Sequence, residues 1–164
     1  RAPDAFVTEM TDEIASYGDA SGLGPDGIER MIASDRARAR ARAAERIMQA
    51  DLDNDGTVVR AELDNLIAIS PEGTRGRLET AWRLADADGN GAVSSPEVRA
   101  YADRQALKGL TEDQAAVLRA YLVMDGNGDG VLTVDEGIAA VKALGALDMA
   151  ATKAAGKVKA KKDI

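Results

Sequence analysis

The chain has 164 residues, is 45% hydrophobic and 30% charged, and carries a formal net charge of −7. It contains neither Cys nor His, which removes disulfides, thiolate nucleophiles, cysteine zinc sites, Ser-His-Asp triads and the commonest general base. With 28 Asp and Glu, oxygen-ligand chemistry toward a hard cation is a better use of the acids than a carboxylate-pair enzyme. The chain is not expected to be an enzyme or to bind nucleic acid, and no apolar run approaches the roughly 18 residues that span a bilayer.

In chain order, the first expected element is a helix with Phe6 and Met10, followed by Ile28, Met31 and Ile32 at helical spacing. The run DRARARARAAER at 35–46 reads as an Ala-rich helix. Arg36 and Arg40 fall on one stripe and Arg38 and Arg42 on another, so no single basic face forms. A solvated surface is the plain reading, and a docking face for an acidic partner the sharper one. Ser70-Pro71-Glu72-Gly73 argues against a continuous central helix. Ser95-Pro96 reads as an N-cap followed by Pro at the first helical position. Thr111 with Gln114, and Thr133 with Glu136, mark two further helix starts. The tail 149–164, with Lys153, Lys157, Lys159, Lys161 and Lys162, has too little apolar surface to anchor itself and is expected to be disordered. Its attachment to a membrane or anionic polymer is the disfavoured alternative.

Three stretches repeat one another: DLDNDGTVVRAE at 51–62, DADGNGAVSSPE at 86–97 and DGNGDGVLTVDE at 125–136. Each has Asp first, Asp or Asn at the third and fifth places, Gly sixth and Glu twelfth, which is the calcium-loop pattern. In that pattern the first, third and fifth places present side-chain oxygens, the seventh a backbone carbonyl and the twelfth a bidentate carboxylate. The expected ligands of the first loop are Asp51, Asp53, Asp55, the Thr57 carbonyl and Glu62. Those of the second are Asp86, Asp88, Asn90, the Ala92 carbonyl and Glu97. Those of the third are Asp125, Asn127, Asp129, the Val131 carbonyl and Glu136. The expected cofactor is calcium, three ions per chain. Glu at every twelfth place disfavours magnesium.

These loops resemble the EF-hand family, the helix–loop–helix module of the calmodulin superfamily, and in particular its calerythrin-like and sarcoplasmic calcium-binding branches. The resemblance extends to the flanks: Ile47, Trp82 and Tyr121 lie four places before each loop, Ala50, Ala85 and Met124 one place before, and Val58, Val93 and Leu132 at the eighth place. It implies an all-α fold of two EF-hand pairs, with short antiparallel β-ladders between paired loops. Because such hands come in pairs, a fourth is expected near the N-terminus, with Leu23 at its eighth place and Gly27 at its twelfth. Its ligand places, Ser16, Gly18, Ala20 and Gly27, hold no carboxylate, and its loop is expected to carry one or two extra residues. The expected domains are 1–72, holding the degenerate hand and the 51–62 loop, and 73–148, holding the 86–97 and 125–136 loops.

The resemblance implies a calcium buffer or a calcium-stabilised binding module, with a calcium sensor that opens an apolar groove to a protein target as the alternative role in signalling. A dockerin-like module would lack the second helix of each motif. A lanmodulin-type protein would carry Pro at the second loop place, where Leu52, Ala87 and Gly126 stand. Arg1 in place of Met is read as a processed or truncated end, with a slight expectation of a bacterial periplasmic or secreted location.

Overall fold

The structure is a computed structural model that describes residues 3–145. Helices dominate it, as the all-α expectation required, and the described strands form one two-stranded antiparallel sheet. In order the elements are α1 (Pro3–Tyr17), α2 (Pro25–Met48), β1 (Thr57–Val59), α3 (Arg60–Ile69), α4 (Glu72–Ala85), β2 (Ala92–Ser94), α5 (Ser95–Gly109), α6 (Glu112–Arg119), a 3-10 turn (Ala120–Met124) and α7 (134–145). No helix among the described residues is long and apolar enough to cross a membrane.

The chain forms two compact units. The first, Ile32–Ala115, is continuous in sequence. Its core gathers Ile47, Val58, Leu63, Leu78, Trp82, Val93, Val98 and Tyr101, all buried. Each such side chain contributes about 1.5–3 kcal/mol by leaving water. The loops that follow α2 and α4 lie side by side. Thr57 pairs with Ser94, Val58 with Val93 and Val59 with Ala92, so the two eighth-place valines face one another and are fully buried. The short connection after α3 makes this possible. Ser70 is extended, its hydroxyl donates to the Leu66 carbonyl at 2.7 Å, and Pro71 stops the helix before α4 begins at Glu72.

The second unit combines the described residues of Arg1–Met31 and of Ala116–Ile164. Met10, Ile14, Leu23, Ile28, Met31 and Leu132 are buried in it. Leu23 and Leu132 exchange two backbone hydrogen bonds, at 2.9 and 3.0 Å. Leu23, expected to face the first loop, instead bridges Leu132 of the third.

The division expected at 72/73 differs from the observed one. The 51–62 loop pairs with the 86–97 loop, and the N-terminal motif pairs with the 125–136 loop. The boundaries fall within α2, between Met31 and Ile32, and within α6, between Ala115 and Ala116. The physical reason lies in the connectors. The run at 35–46 has no helix breaker, so α2 continues for 24 residues, whereas Ser70-Pro71 folds α3 back onto α4. The tail 149–164 lies outside the described residues.

The N-terminal loop is also shorter than expected. Seven residues separate α1 from α2, against nine between α4 and α5. Asp19 and Gly22 close the turn with reciprocal backbone bonds of 2.9 and 3.2 Å, and the Ser21 N–H donates to Asp19 Oδ1 at 2.8 Å. Gly22 needs its φ of +136°, and a β-carbon there would stand 2.7 Å from the Leu132 carbonyl oxygen.

Candidate metal centres

All three acidic loops are built on one hydrogen-bond plan. The first-place Asp accepts the N–H of the sixth-place Gly: Gly56 to Asp51 at 3.1 Å, Gly91 to Asp86 at 3.2 Å and Gly130 to Asp125 at 2.8 Å. The third-place side chain accepts the fifth-place N–H, as Asp53, Asp88 and Asn127 do at 3.2, 3.1 and 2.8 Å. The fifth-place side chain accepts the seventh-place N–H, as Asp55, Asn90 and Asp129 do at 2.7, 2.8 and 3.0 Å. Each bond points a side-chain oxygen back toward the loop it closes, so the turn and the donor set form together. The sixth-place glycines make the turn at φ of +82°, +82° and +86°, where a β-carbon is disfavoured.

The twelfth-place Glu ties the two ends of each loop. Glu62 accepts from the Leu52 N–H through one oxygen and from the Val59 N–H through the other, both at 2.9 Å. Glu97 does the same with Ala87 and Ser94, at 3.1 and 2.9 Å, and Glu136 with Gly126 and Thr133, at 3.2 and 3.0 Å. Bonds to the ionised form hold these carboxyls below the usual carboxylate range. The Val59 N–H is the leading cause for Glu62, the Ser94 N–H for Glu97 and the Thr133 N–H for Glu136. Asp125 is lowered in the same way, chiefly by the Gly130 N–H. These groups are acceptors only at neutral pH, as cation ligands must be.

Carboxylate oxygens of Asp51, Asp53 and Asp55 lie within 4.8 Å of one another, as do those of Asp86, Asp88 and Glu97. Among the described residues these are the acidic groups of three close enough to share an ion. Glu62 stands outside the first group. In the third loop Asp125, Asp129 and Glu136 do not form such a group, and the Asn127 amide occupies the third place, donating to Asp129 at 3.0 Å. Thr57, Ala92 and Val131 stand at the seventh places, with their N–H groups held by the fifth-place side chains.

One observation tests whether a cation fits. Asp86 Oδ1 is buried and has no hydrogen-bond partner, while its companion oxygen accepts from Gly91. An unpaired buried carboxylate oxygen is costly, and a cation shared with Asp88 and Glu97 would satisfy it. The donor set is oxygen alone, which suits a hard ion and not a soft one.

The sequence reading missed how the first two loops are joined. Ser94, not Ser95, caps α5: both its N–H and its hydroxyl donate to Glu97, at 2.9 and 2.7 Å. Ser95 is already helical, and its hydroxyl crosses to the Gly56 carbonyl at 2.8 Å. Arg60, after β1, pairs with Asp64 and with both oxygens of Glu79 on α4, at 2.6 and 2.9 Å. Two adjacent serines gave no local signal of which one caps. The helix starts at Thr111 and Thr133 are where they were expected.

The chain matches no protein-family model and no solved structure.

Proposed function

We propose that the protein is a calcium-binding protein of the EF-hand type, with sites in the loops 51–62, 86–97 and 125–136. The observation that carries the reading is the common hydrogen-bond plan, in which side chains at the first, third, fifth and twelfth places take the same backbone partners in three loops of different sequence, and which in the first two loops accompanies three acids with oxygens within 4.8 Å of one another. The unpaired Asp86 Oδ1 adds a reason for a cation in the second loop. The Leu23–Leu132 and Val58–Val93 relationships support two pairs of hands, with the metal-free N-terminal hand completing the pair of the third.

Asp51, Asp53, Asp55, Thr57 and Glu62 would hold one ion. Asp86, Asp88, Asn90, Ala92 and Glu97 would hold a second, and Asp125, Asn127, Asp129, Val131 and Glu136 a third. The ion would supply positive charge to carboxylates that otherwise repel one another across a few ångströms. A buffer or calcium-stabilised module is the favoured role. The bridge and turn at Asp19–Gly22 already close the N-terminal loop, so one hand is set without an ion.

A second reading, a calcium sensor, is favoured by one groove. Ala41, Ala44 and Met48 of α2 and Val98 and Ala102 of α5 line a space of about 420 Å³, with Arg40 and Arg99 beside it. An apolar floor flanked by two cations suits an acidic amphipathic helix.

Thermal unfolding of metal-stripped chain in excess magnesium tests the calcium reading. Calcium at about a hundredfold above its dissociation constant should stabilise the fold by roughly 2.7 kcal/mol per site. A melting temperature indifferent to millimolar calcium contradicts it. An apolar-surface dye then separates the roles: brightening with calcium favours the sensor, and a flat or falling signal favours the buffer.

A further inference from the structure

Gly137 breaks a register that the other helix–loop–helix motifs keep. The residue directly after the twelfth loop place is Leu63 in the first loop and Val98 in the second, both buried. Counted from Leu23 as an eighth place, the same position in the N-terminal motif is Ile28, also buried. In the third loop it is Gly137. The space its side chain would take is filled from elsewhere: a β-carbon on Gly137 would overlap the sulfur and methyl of Met10, a fully buried residue of α1.

Helix α1 and the loop after it touch the third motif before, within and after its acidic loop. Before the loop, the Phe6 and Tyr121 rings meet edge to face, with centroids 5.9 Å apart. Within it, Leu23 and Leu132 share two backbone hydrogen bonds. After it, Met10 rests on the backbone of the residue next to Glu136. Arg119, on the helix leading to the loop, adds a two-pronged pair with Glu29 of α2 at 2.6 and 3.1 Å.

We infer that Met10 is a positioning residue for the third metal site, setting the place of the Glu136 carboxylate by packing on Gly137. This rests on the calcium reading above. Glu136 is the ligand that must meet the ion with both oxygens, and its backbone continues directly into the glycine that Met10 covers. Gly137 lies in the first turn of α7, its N–H donating to the Thr133 carbonyl at 3.1 Å, but glycine weakens a helix that must be held in one conformation, and Met10 packing there steadies the turn that carries the Glu136 carboxylate. With Met10 seated, that ordering is complete before the ion arrives, which favours binding. The first two loops have Leu63 and Val98 for the purpose and do not depend on α1.

The test uses the full chain in two backgrounds. In Glu62→Gln with Glu97→Gln, only the third loop keeps its twelfth-place carboxylate. There, Met10→Ala should weaken calcium binding about tenfold, the scale on which losing the support behind a metal ligand acts, and Met10→Leu should restore most of it. In a Glu136→Gln background, Met10→Ala should leave the affinities of the other two loops unchanged. Gly137→Ala is the second variant: it raises helix propensity in α7 yet displaces the Met10 thioether, so third-site affinity should fall while the helix gains. Equal affinity with and without the Met10 side chain, or equal weakening of all three sites, overturns the inference. The calcium reading itself fails differently, through absence of binding in both backgrounds with Met10 intact.

Discussion

Ser95 of the second acidic loop donates its hydroxyl to the Gly56 carbonyl of the first, at 2.8 Å. The Arg60 N–H of the first loop returns a bond to the Gly91 carbonyl of the second, at 3.2 Å. Each bond grips the peptide plane just ahead of a seventh-place residue, Thr57 or Ala92, whose own carbonyl is the proposed ligand. On the other side of that plane the N–H is held by Asp55 or Asn90. A proposed ion that settled one loop would thereby settle part of the other.

Ser95→Ala should reduce the coupling between the first two sites while leaving the Val58–Val93 ladder in place. The expected loss is about 1 kcal/mol, the net worth of one hydrogen bond, out of coupling energies of roughly 1–3 kcal/mol. The Hill coefficient of calcium binding in a Glu136→Gln background reports it. An unchanged coefficient means that the ladder alone carries the coupling.

Each twelfth-place Glu should control one ion. Glu62→Gln, Glu97→Gln and Glu136→Gln should each remove one calcium from the stoichiometry and shrink the calcium-induced rise in stability by roughly 2.7 kcal/mol at a hundredfold excess over the dissociation constant. Melting curves with and without calcium check this. A variant that keeps all three ions removes its loop from the account.

Arg60 and Glu79 should show a small stability effect that depends on acid. The Arg60 hydrogen bonds lower the Glu79 carboxyl below its ordinary value of 4.5. Its contribution is therefore fully present above that unfolded value and is lost as pH falls through the lower folded one. Both side chains are 45% exposed, so solvent screening limits the pair to about 0.2–1 kcal/mol. A double-mutant cycle of Arg60→Ala and Glu79→Ala should give that coupling at pH 7 and almost none at pH 2. Coupling that survives at the lower pH would rule out the ion pair as its source.

Trp82 should report on the second loop and not on the third. It is the single Trp of the chain, and it lines a space of about 390 Å³ together with Asp86 and Gly89. Terbium, a trivalent stand-in for calcium, should luminesce when Trp82 is excited, because energy transfer falls steeply with distance. Glu97→Gln should abolish most of that emission and Glu136→Gln should spare it. Emission lost equally in both variants would contradict the placement.

The local chemistry was legible in the sequence because each loop specifies itself: Asp first, Gly sixth and Glu twelfth need only their own backbone to close. The eighth-place residues were legible too, including Leu23, whose loop has no acidic ligand set. Which loops pair was not, because Val58, Val93, Leu132 and Leu23 are interchangeable apolar residues in short extended segments. The deciding feature was negative and lay elsewhere, in the absence of any Gly or Pro from Ile28 to Met48. The N-terminal turn was misjudged in length because Gly18 and Gly22 permit a tighter closure than the acidic loops make. The Met10–Gly137 contact joins residues far apart in sequence, though the missing side chain after Glu136 was visible beside Leu63 and Val98.

The most direct test is a calorimetric titration of the metal-stripped chain with calcium in excess magnesium. Three ions per chain are predicted, with two of them binding cooperatively and the third independently. No heat of binding, or heat that magnesium abolishes, would contradict the account at its centre, and a fourth ion would contradict the metal-free character of the loop at 18–24.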